Sequence, residues 1–223
     1  GGFYRVPPRG EMRAMVPLLQ GALEGAQETV RWTAGFNLPD FERDPLMLSM
    51  YDPELYALDT GRLISTEGID VDPGEWDAAF SEQHVEHSTA LQATSLDGKH
   101  HLVGPAARVV LASQGLHPLA KESHEESGGL EILRRNMFAA ITARGIEMVH
   151  AAAESIAILE SYEPPAEPFT RWQPKAGRAA WATEAPRGVL FHRYEVDDEG
   201  RVVEAQIVPP TSQNQAFMED DMR

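Results

Sequence analysis

Two proline-bearing strings near the C-terminal end constrain the topology of this chain most: Glu184-Ala185-Pro186-Arg187-Gly188 and Pro209-Pro210-Thr211-Ser212-Gln213-Asn214. Between them Val189, Phe191 and Val196 mark one β-rich run, and Val202, Val203, Ile207 and Val208 mark a second. Asp197-Asp198-Glu199-Gly200 separates the two. An acidic cluster ending in glycine between two such runs predicts a hairpin with a short loop. Because a hairpin brings its outer ends together, Arg187 and Thr211 are expected as neighbours in space.

Such a pairing makes a small ligand clamp. Arg187 offers planar donors that stay charged at any ordinary pH. Pro186 fixes the backbone before it, and Gly188 allows a bulky group to approach. Thr211 adds a hydroxyl. The same residues also fit an ordinary turn whose arginine caps carbonyl groups, and short motifs alone do not separate the two readings.

At 223 residues the chain is long enough to bury a substantial core. Its 19 Lys and Arg face 35 Asp and Glu, a formal charge of -16. An acidic surface of that size repels phosphate backbones, which argues against nucleic acid as a partner. No apolar run approaches the roughly 18 residues that span a bilayer, so no membrane is expected, and the cytoplasm is the expected compartment. Cysteine is absent, which excludes disulfides and thiolate metal sites within these residues.

The remaining pattern predicts an α+β, predominantly helical fold with small hairpins. Residues 1–162 read as a helical core with small β segments, and residues 163–223 as a Pro-rich connector and a hairpin lobe, the two forming one structural unit. Met12, Met15, Leu19, Leu23, Ala26 and Val30 recur at helical spacing and predict a helix from about Glu11 to Thr33, stopped by Gly35. A short strand is expected at Arg62 to Ser65. Trp76, Ala79 and Phe80 suggest a short helix ending near Glu82. Asp97-Gly98 predicts a turn pairing the strand around Val85 to Leu91 with His101-Leu102-Val103. His84 and His87, three apart, lack further zinc ligands nearby and read as polar residues beside that strand. Gly104-Pro105 opens a helix that closes at Gly115, with Arg108 as a structural charge. Residues 117–129 carry few apolar side chains after Leu119, and the end of that stretch is expected to be the most mobile internal segment. One long helix is expected from about Leu130 to Ser161, buried through Leu130, Leu133, Met137, Ile141, Met148, Ala152, Ile156 and Leu159 and paired with the first helix. Glu219-Asp220-Asp221 is expected in the N-terminal half of a last helix.

Glu-Ala-Pro-Arg-Gly-x-Leu-x-His (Glu184 to His192), Val-x-Pro-Thr-x-x-Asn (Val208 to Asn214) and Glu-Asp-Asp (Glu219 to Asp221) together resemble the large subunit of nickel-iron hydrogenases. Gly1-Gly2-Phe3, Val103-Gly104-Pro105-Ala106-Ala107-Arg108 and Arg144-Gly145-Ile146-Glu147 fit the same family in order. The Pro-Pro-Thr-Ser-Gln-Asn string looks most like its cytoplasmic, cofactor-coupled members. The resemblance implies a parent enzyme that oxidises hydrogen or reduces protons at a nickel-iron centre whose iron carries two cyanides and one carbon monoxide. It also implies pairing with an iron-sulfur small subunit. By the same resemblance Arg187 would sit over the metals as the catalytic residue, and Thr211 would donate to a cyanide. Pro186 and Leu190 would line the pocket, the Ile207 carbonyl would reach a structural magnesium or iron ion, and His192 would serve as a hydrogen-bonding residue. The family binds its metals through two Cys-x-x-Cys pairs, and this chain has neither. It therefore reads as an internal fragment, inactive alone and with no metal expected on it; the alternative is a non-catalytic scaffold or assembly module.

Overall fold

A computed structural model describes residues 2–222. In chain order the helices are α1 (Arg9–Arg13), α2 (Val16–Ala34), α3 (Pro105–Ala112), α4 (Pro118–Glu126), α5 (Leu130–Arg135), α6 (Ala140–Ser161) and α7 (Pro210–Asp221). The strands are β1 (Leu46–Tyr51), β2 (Arg62–Ser65), β3 (Asp70–Val71), β4 (Phe80–Val85), β5 (Ser88–Ser95) and β6 (His101–Val103). Three more follow near the C-terminal end: β7 (Gly177–Ala185), β8 (Gly188–Val196) and β9 (Val202–Val208). The chain divides into two compact units, neither continuous in sequence.

The first unit comprises residues 1–37, 117–129 and 141–174 and is helical. The helix expected from Glu11 is broken between α1 and α2, and Met15 is 48% exposed; beyond the break Ala26, Val30 and Thr33 are buried on α2, which ends at Gly35 as expected. This helix meets α6 where a Cβ on Gly145 would lie 3.0 Å from the Val30 side chain, so a glycine is what lets the two helices approach. The predicted pairing of the first and long helices is therefore present. The predicted face of the long helix is present only in part: Leu133, Ala152 and Leu159 are buried, but Ile141 and Met148 are 42% and 51% exposed, and Ala143, Gly145, Ile146, Val149 and Ala153 are buried instead. A charge placed at Ile141 would not enter a core.

Nor is residues 130–161 one helix. Asn136 takes an extended conformation (φ -116°, ψ 105°), its side chain accepts the Phe138 amide, and a 3-10 turn (Met137–Ala139) precedes α6. An asparagine that bonds to the backbone two residues on competes with the helical ladder, and here it wins. The stretch 117–129, whose end was expected to be the most mobile internal segment, forms α4 as far as Glu126, because His117 caps it by accepting the Leu119 amide and Ala120, Ser123 and His124 are buried.

The second unit comprises residues 38–116, 130–140 and 175–223 and carries all the strands. A four-stranded sheet runs β3-β2-β1-β6, β4 and β5 form a hairpin, and β7-β8-β9 form an antiparallel sheet. Its core gathers Leu48, Met50, Leu63, Val103, Val189 and Val208 around Trp76, which stacks on Phe80 at 5.5 Å and on Phe191 at 5.4 Å. The helix expected through Phe80 is a 3-10 turn (Pro73–Ala78) that stops before Phe80 enters β4. The predicted strand at Arg62–Ser65 is β2. The turn at Asp97-Gly98 is also present, but it does not pair the strands it joins. β5 pairs with β4, and β6 lies parallel to β1, with Leu46 opposite His101. The local turn signal was sound; the partner of a three-residue strand is decided by the sheet that buries it.

Candidate functional site

The expected hairpin is β8–β9, with Phe191 opposite Val208 and Val196 opposite Val202. What the pattern did not reveal is β7, which pairs with β8 along its whole length from Gly177↔Val196 to Ala185↔Gly188. Pro186 and Arg187 are thus the two-residue turn of a second hairpin. Gly188 has φ +130°, and a Cβ there would overlap the Val103 side chain. Gly104 has φ +118°, and a Cβ there would sit 2.7 Å from the Arg187 carbonyl oxygen. Two glycines therefore let the Pro186–Gly188 turn press against the start of α3.

The second string reaches the same place from α7. The Asn214 Nδ2 donates to the Val103 carbonyl at 3.1 Å and the Arg187 carbonyl at 3.4 Å, while its Oδ1 accepts the Val103 amide at 2.8 Å. Next to it, Gln213 is fully buried and its Nε2 donates to the Val189 carbonyl at 2.6 Å. The strings 184–188 and 209–214 are joined as expected, through Gln213 and Asn214 rather than through Thr211. Arg187 and Thr211 are both exposed, and no hydrogen bond links their side chains among the described residues. Pro186 is exposed beside Arg187, Leu190 is half-buried opposite Thr183, and Ile207 is 50% exposed opposite His192. His192 Nδ1 lies 2.7 Å from the Tyr194 hydroxyl.

Beneath the turn lies a buried ion pair. Arg108 on α3 donates from Nη1 to Glu184 Oε2 at 2.6 Å and to the Ala185 carbonyl at 2.9 Å, and from Nη2 to the Pro186 carbonyl at 3.3 Å. The two side chains are 4% and 0% exposed. The other Glu184 oxygen accepts the Met50 amide at 2.9 Å. Arg108 is a structural charge, as its place in the sequence suggested, but its target could not be read from a position 76 residues away. His101, also fully buried, stands 3.3 Å from Gln213 Oε1 and packs on Phe80. Burial pushes its pKa down to about 4, so its ring is neutral at neutral pH.

Among the described residues, the arrangement presents one cation without an ion pair, Arg187, at a mouth formed by a rigid turn and the starts of two helices. It can orient an anionic or strongly accepting group. The sequence has no cysteine, and the described residues contain no cluster of three His, Asp or Glu side chains of the kind that holds a metal ion.

No family model matches the chain. It is similar to the alpha chain of sulfhydrogenase 1 from Pyrococcus furiosus, 28% identical over 227 residues that cover all of this chain and 52% of that protein. It is also similar to a vhu subunit of the F420-non-reducing hydrogenase from Methanococcus voltae, 31% identical over 170 residues, 72% of this chain and 40% of that one. Among solved structures, an NAD+-reducing [NiFe]-hydrogenase in the H2-reduced state matches with a TM-score of 0.75 at 20% identity, over 99% of this chain and 53% of that one. The Ni-Fe-Se hydrogenase from Desulfomicrobium baculatum matches with a TM-score of 0.61 at 17% identity, over 96% and 53%. The fold is that of the nickel-iron hydrogenase large subunit. By its sequence relatives as well as its fold, the chain belongs to this family, and it spans about half the length of the curated relatives it matches.

Proposed function

We propose that this chain forms one wall of the nickel-iron site of a hydrogenase large subunit, with Arg187 as the residue that faces the reacting centre. The observation that carries this reading is the exposed Arg187 guanidinium, without an ion pair among the described residues, on a turn fixed from below by Arg108 and from the side by Asn214. A cation held still where negative charge gathers is electrostatic preorganisation, and it needs no rearrangement when the reaction occurs. The nickel-iron centre supplies the hydrogen chemistry when bound. The residues here do not fit the role of its ligands, so they would act around it: Pro186 and Leu190 as lining, Thr211 as a hydroxyl donor, and the Ile207 carbonyl toward a structural cation. The parent would pair with an iron-sulfur small subunit, take hydrogen as substrate and work in the cytoplasm. The Pro-Pro-Thr-Ser-Gln-Asn string and the match to an NAD+-reducing enzyme support a cofactor-coupled type.

The test is Arg187→Lys in the complete large subunit, once it is joined to its partner. Loss of a positioned donor lowers kcat by about 10²-fold, with nickel and iron content unchanged. Full activity in a metal-replete variant would sink the reading. A second reading, a non-catalytic assembly module, is favoured by the lack of any thiolate ligand in these residues. Stoichiometric nickel and iron on the chain alone after anaerobic purification would exclude it.

A further inference from the structure

We propose that Arg108 and Glu184 are positioning residues whose joint task is to leave the Arg187 guanidinium free, an assignment that rests on the role given to Arg187 above. A solvent-facing arginine at a tight turn tends to fold back on the nearest carbonyl or carboxylate. At this turn the nearest such groups in sequence are the Ala185 and Pro186 carbonyls and the Glu184 carboxylate. All three are bonded to Arg108. The reading in which Arg187 merely caps its own turn is thereby answered, because a second arginine, from another element, does the capping.

The energetics point the same way. A buried ion pair is an inefficient source of stability, since desolvation offsets most of the attraction and a well-packed apolar pair does as well or better. An apolar pair cannot saturate two carbonyls and a carboxylate within three residues of Arg187. Arg108 can, because its planar fork places several donors in one fixed geometry. Glu184 completes the device. It neutralises Arg108, and its second oxygen ties the turn to β1 through the Met50 amide. With Arg108 and Glu184 matched, the surplus positive charge of the turn is carried by Arg187 alone.

The experiment is phenylglyoxal labelling of the full 223-residue chain, read arginine by arginine by mass spectrometry. In the unsubstituted chain Arg187 labels fast and Arg108 is protected. In Arg108→Met the vacated carbonyls and Glu184 capture Arg187, and its labelling slows several-fold. Arg193, held by Asp77 and Gln206, stays protected and reports that the chain is folded, while Arg13, exposed on α1, keeps its rate and controls for the reagent. Arg108→Lys restores part of the Arg187 rate, because one ammonium cannot hold all three acceptors. Unchanged Arg187 labelling in folded Arg108→Met overturns the proposal. If Arg108→Met does not fold, Arg108→Lys decides in its place: slowed labelling of Arg187 upholds the proposal, and an unchanged rate overturns it. The hydrogenase reading stands or falls separately, on the activity of Arg187→Lys.

Discussion

At its N-terminal end α7 is held by side-chain amides, Gln213 fully buried, and at its C-terminal end by carboxylates, of which Glu219 and Asp220 still see water. Gln213 and Asn214 bond to backbone groups of β8, β6 and the Arg187 turn, with Gln213 fully buried. At the other end Glu219 meets His87 at 3.0 Å and Gln92 at 2.8 Å, Asp220 meets His100 at 2.6 Å, and Arg43 bonds to both Asp220 and Asp221 while lying 4.2 Å above the Phe217 ring. Three acidic residues in the last turn of a helix oppose its macrodipole, so these cations and donors are needed to keep the end wound. The Glu219 carboxyl is held below its usual range by the His87 hydrogen bond. Burial works to raise Asp220, but bonds from His100 and Arg43 outweigh it and hold that carboxyl low as well. One helix is thus anchored rigidly where it meets the candidate site and more adjustably where it leaves it.

The sharpest way to break this contrast is to attack the dry end. Arg108→Met takes from Glu184 its buried counterion, a loss that capture of Arg187 from the surface offsets only in part, and the expected cost is about 3 kcal/mol in urea unfolding. The double variant Arg108→Met/Glu184→Met recovers most of it. A loss under about 1 kcal/mol for the single change would mean that the pair behaves like an exposed one.

Next in size is the pH response of His101. Its folded pKa, about 4, lies below the ordinary 6.5, so the unfolded chain binds more protons between those values. The stability due to the neutral buried ring is therefore complete above about pH 6.5 and lost as pH falls toward 4. The expected loss is roughly 3 kcal/mol across that window. In His101→Phe the part of the slope between pH 6.5 and 4 that comes from this residue disappears. An unaltered slope would move the origin of the acid response elsewhere in the chain.

The smallest effect belongs to the wet end. Glu219→Gln removes a carboxylate that faces an exposed His87, and the expected loss of stability is small and shrinks as salt is added. Melting curves at low and high salt check it. A large, salt-independent loss would erase the distinction between the two ends.

Parts of this anatomy were legible in the residues. Apolar spacing located α2, and Gly104-Pro105 located the start of α3. The acidic loop between Val196 and Val202 gave the β8–β9 hairpin. The ordered recurrence of short strings pointed to the hydrogenase large-subunit fold. Other parts were beyond reach. Along residues 139–159 nearly every side chain is apolar or small, so periodicity could not choose between the face through Ile141 and Met148 and the face through Ile146 and Val149. Glu219, Asp220 and Asp221 were expected early in the last helix and close it instead, because Pro210 starts α7 before the apolar pattern does.

The sequence by itself determined α2, the start of α3 and the β8–β9 hairpin, because capping residues, prolines and short-range spacing act over a few positions. It also determined that no thiolate is available for a metal, since that is a matter of counting. Only the tertiary structure decided that Arg108 caps the turn carrying Arg187, that β6 pairs with β1, and that Asn214 rather than Thr211 binds the two C-terminal strings. Each of those outcomes depends on which distant groups share a space without water. There an unpaired carbonyl or charge is costly enough to select its partner.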